Sequence, residues 1–231
     1  MAQKKKSKKL NIRKLFILLL FLYLFVFVVY KTIKEPVRNI IIKGNYLVSD
    51  KEIISDAKLK NYPAFVTINT RKIKKRLLKN ELISNVTIKK NIKFQIIIEV
   101  TEYKIICLDK VNEKLLLNNG ESIINNNEYE GIPILINYTP EDILKDFLKG
   151  MGALDYGTLS GISEIEYSPA LSNDDKVVDD TRFLLKMNDG NLVYINLDKL
   201  NKLKYYQKIY ASLKGNKGVL HLDSGEYLEV K

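Results

Sequence analysis

Cys107 and His221 are the only cysteine and the only histidine in this chain of 231 residues. A thiol beside an imidazole is a nucleophile beside its base, so the pair is the first candidate for covalent chemistry. Their settings argue against it. Cys107 lies in IICLD, an apolar run in which a thiol behaves as a small buried hydrophobe. His221 alternates with Leu220 and Leu222 and reads as a strand surface residue. One Cys and one His also fall short of a zinc ligand set. Asp174-Asp175 and Asp179-Asp180 offer carboxylates for calcium, but the glycine and closing glutamate of an EF-hand loop are missing, so they read as a solvated acidic loop. Gly150, Gly152, Gly157 and Gly161 read as a flexible link; no Gly-Lys-Ser/Thr follows them, which excludes a phosphate loop. The expectation is a chain with no catalytic residue, no metal ligand and no cofactor site.

The elements that would position any site begin with an anchor. Leu15 to Tyr30 reads LFILLLFLYLFVFVVY, sixteen uncharged residues. At ~1.5 Å per residue this is about 24 Å, short of the ~30 Å hydrocarbon core. Arg13, Lys14 and Lys31 extend it by snorkelling, and Tyr30 suits a bilayer interface. No Ala, Gly or Ser lies between Lys8 and Gly44, so a signal-peptide cleavage site is lacking. The segment therefore reads as a retained transmembrane helix over 15–33, behind a basic tail over 1–14. That tail carries Lys4, Lys5, Lys6, Lys8, Lys9, Arg13 and Lys14 and no acid. The positive-inside rule places it in the cytoplasm and the rest of the chain outside, a single-pass type II arrangement.

The net charge of +11 resembles a nucleic-acid signal until it is divided. The tail accounts for +7; residues 31–93 hold 16 basic and 5 acidic side chains, and residues 94–231 hold 15 and 22. A basic block followed by an acidic block reads as two domains, not as one DNA-binding surface. The tail abuts the anchor, so anionic lipid is its expected partner and nucleic acid is not.

After the anchor, Val37 to Ile42 has the β-branched content of a strand, ended by Gly44-Asn45. Ser49-Asp50-Lys51-Glu52 is a capping box that opens a helix carrying Ile53, Ile54 and Ala57. A second helix follows Asn69, with Ile73 and Leu77 on one side and Arg71, Lys72, Lys75, Arg76 and Lys79 on the other. Val86 and Ile88, then Phe94, Ile96, Ile98 and Val100, alternate on either side of a turn at Lys90-Asn91, which predicts a hairpin with one buried face. Strand, helix, helix, strand, strand beside a membrane span resembles the POTRA domain of the FtsQ/DivIB bacterial cell-division proteins. The carrying stretches are VRNIIIKGNYLVSDKEI, INTRKIKKRLLKNELISNVTIKK and FQIIIEVTEYK.

The second block continues the likeness. LLLNNGESI is similar to the family's short hairpin around a glycine, and GIPILI to its Pro-containing strand. Thr139-Pro140-Glu141-Asp142 predicts a helix start with Pro at the first helical position, followed by an apolar face of Ile143, Leu144, Phe147, Leu148 and Met151. FLLKMNDGNLVYINL predicts a hairpin about Asn188-Asp189-Gly190. LDKLNKLKYYQKIYASLK reads as one amphipathic helix with Leu200, Leu203, Tyr206 and Leu213 inward, and GVLHLDSGEYLEVK as closing strands. The expected fold class is α+β: a POTRA domain over 35–104 and a C-terminal domain over 105–231 built on an antiparallel sheet.

The resemblance implies a non-enzymatic divisome scaffold at the division septum. It implies binding to small bitopic coiled-coil proteins (FtsB/DivIC-like and FtsL-like) and a link to the septal peptidoglycan synthase complex. Two places are candidates for docking. One is the terminal strand Glu226, Tyr227, Leu228, Glu229 and Val230, which no later strand covers; Leu228 and Val230 are expected to face the core and Tyr227 and Glu229 to face outward. The other is the basic face Arg71, Lys72, Lys75, Arg76 and Lys79, with acidic proteins, lipid headgroups or anionic wall polymers as possible partners. Two other readings stay open. A membrane-anchored cell-wall enzyme of sortase-like Cys/His type would use Cys107 and His221, although sortases present His before Cys. A POTRA-bearing export or assembly protein would need repeated POTRA units or a β-barrel, and neither is visible.

Overall fold

In the computed structural model, which describes residues 11–126, 129–212 and 215–230, the apolar run is the helix α1 (Ile12–Lys34). It exceeds the span expected from hydropathy because it continues through the basic flanks at both ends. None of its residues is buried. A helix apolar on every side, with no residue buried, has the length and composition of a membrane span. The tail residues Lys4, Lys5, Lys6, Lys8 and Lys9 lie outside the described residues. The chain divides into two units that meet at Glu102 and Tyr103.

The first unit follows the predicted order: β1 (Asn39–Lys43), α2 (Asp50–Asp56), α3 (Thr70–Leu77), β2 (Ile83–Lys90) and β3 (Gln95–Glu102). The central strand is β3, parallel to β1 and antiparallel to β2. Every second residue of β3 is buried (Ile96, Ile98 and Val100), as are Val86 on β2, Ile53 on α2, and Ile73 and Leu77 on α3. Phe94 does not continue the alternation; it closes the β2–β3 turn at φ 58°. Gly44 has φ +80°, and a Cβ there would stand 2.3 Å from the Val100 carbonyl oxygen, so only glycine fits. The chain just beyond is fastened by the Glu102 carboxylate, which accepts from the amides of Tyr46 (2.9 Å), Leu47 (2.7 Å) and Val48 (2.9 Å).

The capping box forms by half. Ser49 Oγ accepts from the Glu52 amide at 3.2 Å, but the Glu52 carboxylate takes the side-chain amide of Asn80 at 2.9 Å and does not return to the cap. Ser49→Ala should therefore cost about 1 kcal/mol, and no more, because the glutamate keeps its own partner. A urea titration of the full chain in detergent, followed on the first unit, checks this; an unmoved midpoint would show the cap idle.

The second unit is built on one sheet, nine strands among the described residues, in the order β14-β13-β12-β11-β8-β7-β4-β5-β6. The ranges are β4 (Ile105–Asp109), β5 (Lys114–Leu117), β6 (Ser122–Ile124), β7 (Ile134–Leu135), β8 (Ile162–Tyr167), β11 (Arg182–Met187), β12 (Leu192–Asn196), β13 (Gly218–His221) and β14 (Tyr227–Val230). A separate ribbon joins β9 (Ala170–Leu171) to β10 (Val177–Asp179). The sheet is not purely antiparallel: β7 runs parallel to both β4 and β8, and β13 runs parallel to β12. One core joins Phe147, Leu148 and Met151 of α4 (Glu141–Gly152) to Phe183, Leu185, Val193, Ile195 and Leu220 of the sheet. Phe147 and Phe183 stack at 4.0 Å.

Three local expectations fail here for physical reasons. Pro140 sits at the N-cap with ψ 140°, one residue before the helix, and the buried Thr139 hydroxyl caps nothing. The glycines do not form a flexible link. Gly150 and Gly152 lie inside α4, where a Cβ would stand 2.5 Å from Leu200 Cδ1 and 2.6 Å from Asn118 Cβ, so they let α4 pack closely. Gly157 lies in α5 (Tyr156–Ser160) and Gly161 ends it. The expected long amphipathic helix is a 3-10 stretch, Leu197–Tyr205, followed by α6 (Tyr206–Ser212). Leu200, Leu203 and Tyr206 are still buried, while Leu213 falls outside the described residues.

Candidate partner-docking edge

The thiol and the imidazole are not brought together. Cys107 is on β4 and His221 on β13, with β12, β11, β8 and β7 between them. Five strand spacings of ~4.8 Å separate them by about 24 Å along the sheet. Burial pushes the Cys107 thiol far above its ordinary pKa, which keeps it protonated and unreactive. Among the described residues no three His, Cys, Asp or Glu side chains converge as a metal site. Asp179 accepts instead from Thr181 and from the Asn196 side-chain amide.

Among the described residues the sheet has an open end. Strand β14 pairs with β13 through Gly218↔Val230, Val219↔Glu229, Leu220↔Leu228 and His221↔Tyr227, and is outermost in the order. A Cβ at Gly218 would lie 2.1 Å from the Glu229 carbonyl oxygen, so glycine is what lets the two strands approach. Leu228 is half-buried and packs on the core, as expected. Val230 does not: it is 59% exposed, because the core ends at Leu228, two residues earlier. Tyr227 and Glu229 face outward.

The direction of the free backbone follows from the bonds on the other side of β13. The Gly218 amide donates to Asn191 Oδ1 and the Leu222 amide to the Tyr194 carbonyl, so both point at β12 and its approach. Strand alternation then turns Val219 and His221 toward β14, where they face Glu229 and Tyr227. The amides and carbonyls of Leu228 and Val230 are left facing the open edge.

A side-chain ladder stiffens this end, and sequence reasoning missed it. Arg182 on β11 lies 4.6 Å over the Tyr194 ring on β12; Tyr194 stacks on His221 at 5.4 Å, and His221 on Tyr227 at 4.6 Å. His221 is thus enclosed between two tyrosines, with only 16% of its side chain exposed, and is not a plain surface residue. Asp223 stands 3.6 Å from both Arg182 and His221. Glu226 pairs with Lys202 at 2.7 Å, and that hydrogen bond holds its carboxyl below the usual range.

The second candidate face is less uniform than expected. Arg71, Lys72, Lys75 and Lys79 on or just beyond α3 are exposed. Arg76 is half-buried, and its guanidinium donates to the Ala57 carbonyl at 2.8 Å, tying α3 to the end of α2. It is a structural tie more than a free docking charge.

Comparison with known proteins agrees with this architecture. Residues 35–103 match the family model "POTRA domain, FtsQ-type" and residues 107–227 match "Cell division protein FtsQ/DivIB, C-terminal". The chain is 30% identical over 220 residues to the cell division protein DivIB of Bacillus subtilis (strain 168), covering 93% of this chain and 81% of that one. It is 31% identical over 202 residues to DivIB of Ligilactobacillus salivarius (strain CECT 5713), covering 83% and 67%. A solved structure of the major extracytoplasmic domain of DivIB from Geobacillus stearothermophilus aligns with 24% identity and a TM-score of 0.38, over 49% of this chain and 96% of that one. With an apolar anchor helix, a POTRA unit and a matching C-terminal unit in that order, the chain belongs to the FtsQ/DivIB family of membrane-anchored cell-division proteins.

Proposed function

We propose that this protein is a non-enzymatic scaffold of the divisome. Its anchor is single-pass with the basic tail in the cytoplasm, and both units stand outside the membrane at the septum. The partners are small bitopic coiled-coil division proteins, FtsB/DivIC-like and FtsL-like, through which the scaffold helps assemble the septal peptidoglycan synthase complex. The observation that carries this reading is the edge of β14, which no strand pairs among the described residues. It offers main-chain donors and acceptors that an extended partner segment can pair with, as an added strand. Tyr227 stacks on His221 behind it, and a strand ordered before the partner arrives lowers the ordering cost of docking.

Affinity purification of the tagged full chain from detergent-solubilised membranes tests the proposal. The small coiled-coil division proteins should copurify with wild type and with Cys107→Ala, and should be lost when residues 225–231 are deleted. Lys231 itself lies outside the described residues. Copurification unaffected by the deletion would remove the edge from the account. Loss of division function in Cys107→Ala at normal protein level would return the thiol to consideration.

A further inference from the structure

The first unit leaves the helix with almost no spacer, and this fixes which end of the unit meets the bilayer. Only residues 35–38 separate α1 from β1. The Phe65 amide donates to the Glu35 carbonyl at 2.8 Å, Pro36 forms a bridge with Ala64, and the Val37 amide donates to the Pro63 carbonyl at 3.1 Å. The Arg38 amide donates to the Phe94 carbonyl at 2.9 Å. The segment 62–67 and the β2–β3 turn 91–94 are therefore joined directly to the stretch where the chain emerges. The uncharged run ends at Tyr30 and α1 ends at Lys34, so the last turn of the helix crosses from the hydrocarbon edge to the headgroups. Groups bonded to residues 35–38 stand just outside that edge.

That rim has unusual chemistry for a soluble surface. Ile92, at the turn tip, is 96% exposed, and Val66 and Tyr62 are 52% and 51% exposed. Turn tips ordinarily carry Gly, Asn, Asp or Ser. Here the turn reads Asn91-Ile92-Lys93-Phe94, with Phe94 held at φ 58° so that its ring meets Phe65 edge-on at 5.3 Å. Arg38, Lys90 and Lys93 lie on the same link and turn, with Lys31 and Lys34 on the last turn of α1; Glu35, the one acid in 31–38 and 90–94, pairs with Arg38 at 2.7 Å. Lys90 lies 4.3 Å over the Phe65 ring, and Arg38 5.2 Å over that of Phe94. Apolar and aromatic tips beside cations match the boundary between acyl chains and phosphate headgroups.

We propose that the POTRA unit rests on the outer phospholipid surface, with Ile92 and Val66 dipped into the headgroup–acyl boundary and Lys93 and Lys34 on lipid phosphates, while Arg38 stays paired with Glu35. This rests on the reading of α1 as a membrane anchor and adds a second, peripheral contact. Its consequence is orientation: a four-residue link plus a lipid-seated rim holds β1, β2 and β3 at a fixed angle to the membrane.

The test uses the full chain in nanodiscs of phosphatidylethanolamine and phosphatidylglycerol, one chain per disc. An environment-sensitive NBD fluorophore is attached at Ile92→Cys, at Lys43→Cys on the opposite end of β1, or at Phe21→Cys within α1. Cys107 is buried and does not compete for the label. At position 92 emission should shift to the blue, with iodide quenching at least about threefold weaker than at 43, as insertion to the interface requires. Adding Lys93→Glu should return part of that quenching. If the label at 92 is quenched like the label at 43 while 21 is protected, the rim does not touch lipid and the inference fails with the anchor intact. If 21 is also quenched, the anchor itself fails. Protection at 92 that appears only with two chains per disc would assign the rim to contact between copies and overturn the lipid assignment.

Discussion

Ile98→Asp should unfold the POTRA unit while leaving the C-terminal unit intact. Ile98 lies at the middle of the central strand β3, fully buried, facing Ile42 across the parallel pairing and Ile88 across the antiparallel one. An aspartate there has no partner: its neighbours in register are both isoleucines. A carboxylate in such a site must stay desolvated or take up a proton, and the isoleucine's own burial is lost as well. The combined cost should exceed about 4 kcal/mol, a large share of the roughly 5–15 kcal/mol that holds a domain together. Thr87→Lys is the control. Thr87 is on the exposed face of β2 opposite Glu99, so a charge there should be tolerated. The check is hydrogen exchange by mass spectrometry on the full chain in detergent. Peptides from 39–102 should lose protection in Ile98→Asp and keep it in Thr87→Lys, while peptides from β8 and β11 stay protected in both. Retained protection across β3 would mean that the buried face has been assigned to the wrong residues.

The features legible in the sequence are those set by periodicity over one element. Alternation on β3, the i, i+4 pair Ile73 and Leu77, and the Ser49 cap each depend on a few neighbouring residues, and each stands where the pattern placed it. The misread features depend on residues far apart in the chain. Gly150 and Gly152 look like a loop until Leu200 and Asn118 are seen against them, and nothing within five residues of either glycine announces that contact. The Ser49–Glu52 spacing predicts a closed box, but Asn80 takes the Glu52 carboxylate from 28 residues away. The parallel pairing of β13 with β12 follows from the crossover through Leu197–Tyr205 and α6; hairpin logic alone would have made it antiparallel. The ladder Arg182–Tyr194–His221–Tyr227 takes one residue from each of four strands, so its existence depends on register and cannot be read from spacing. The terminal strand is legible as a closing segment, but strict alternation places Val230 inward, because alternation carries no information about where the core ends.

Proline substitutions along β14 should divide by parity, because alternate residues turn their amides to opposite sides of the strand. Leu228 and Val230 turn their amides to the open edge, whereas Tyr227 and Glu229 turn theirs to His221 and Val219 on β13. Proline removes the donor and fixes φ near −65°. Val230→Pro removes an outward donor from a residue whose side chain is exposed, so the fold should survive with a shift of no more than about 1 kcal/mol while a paired partner strand loses a ladder bond. Leu228→Pro removes an outward donor too, but also a half-buried side chain, so it should weaken capture and lower the melting temperature together. Tyr227→Pro and Glu229→Pro break the β13–β14 ladder itself. They should detach the strand and, for Tyr227, empty the last tier of the stack on His221. The measurement pairs copurification of the small division proteins with a thermal melt of each full-length variant. Strand addition requires Val230→Pro to lose partner at an almost unchanged melting temperature. If Val230→Pro and Leu228→Pro capture as wild type does, while Tyr227→Pro and Glu229→Pro alone fail, the partner reads the outward side chains of Tyr227 and Glu229 and does not extend the sheet.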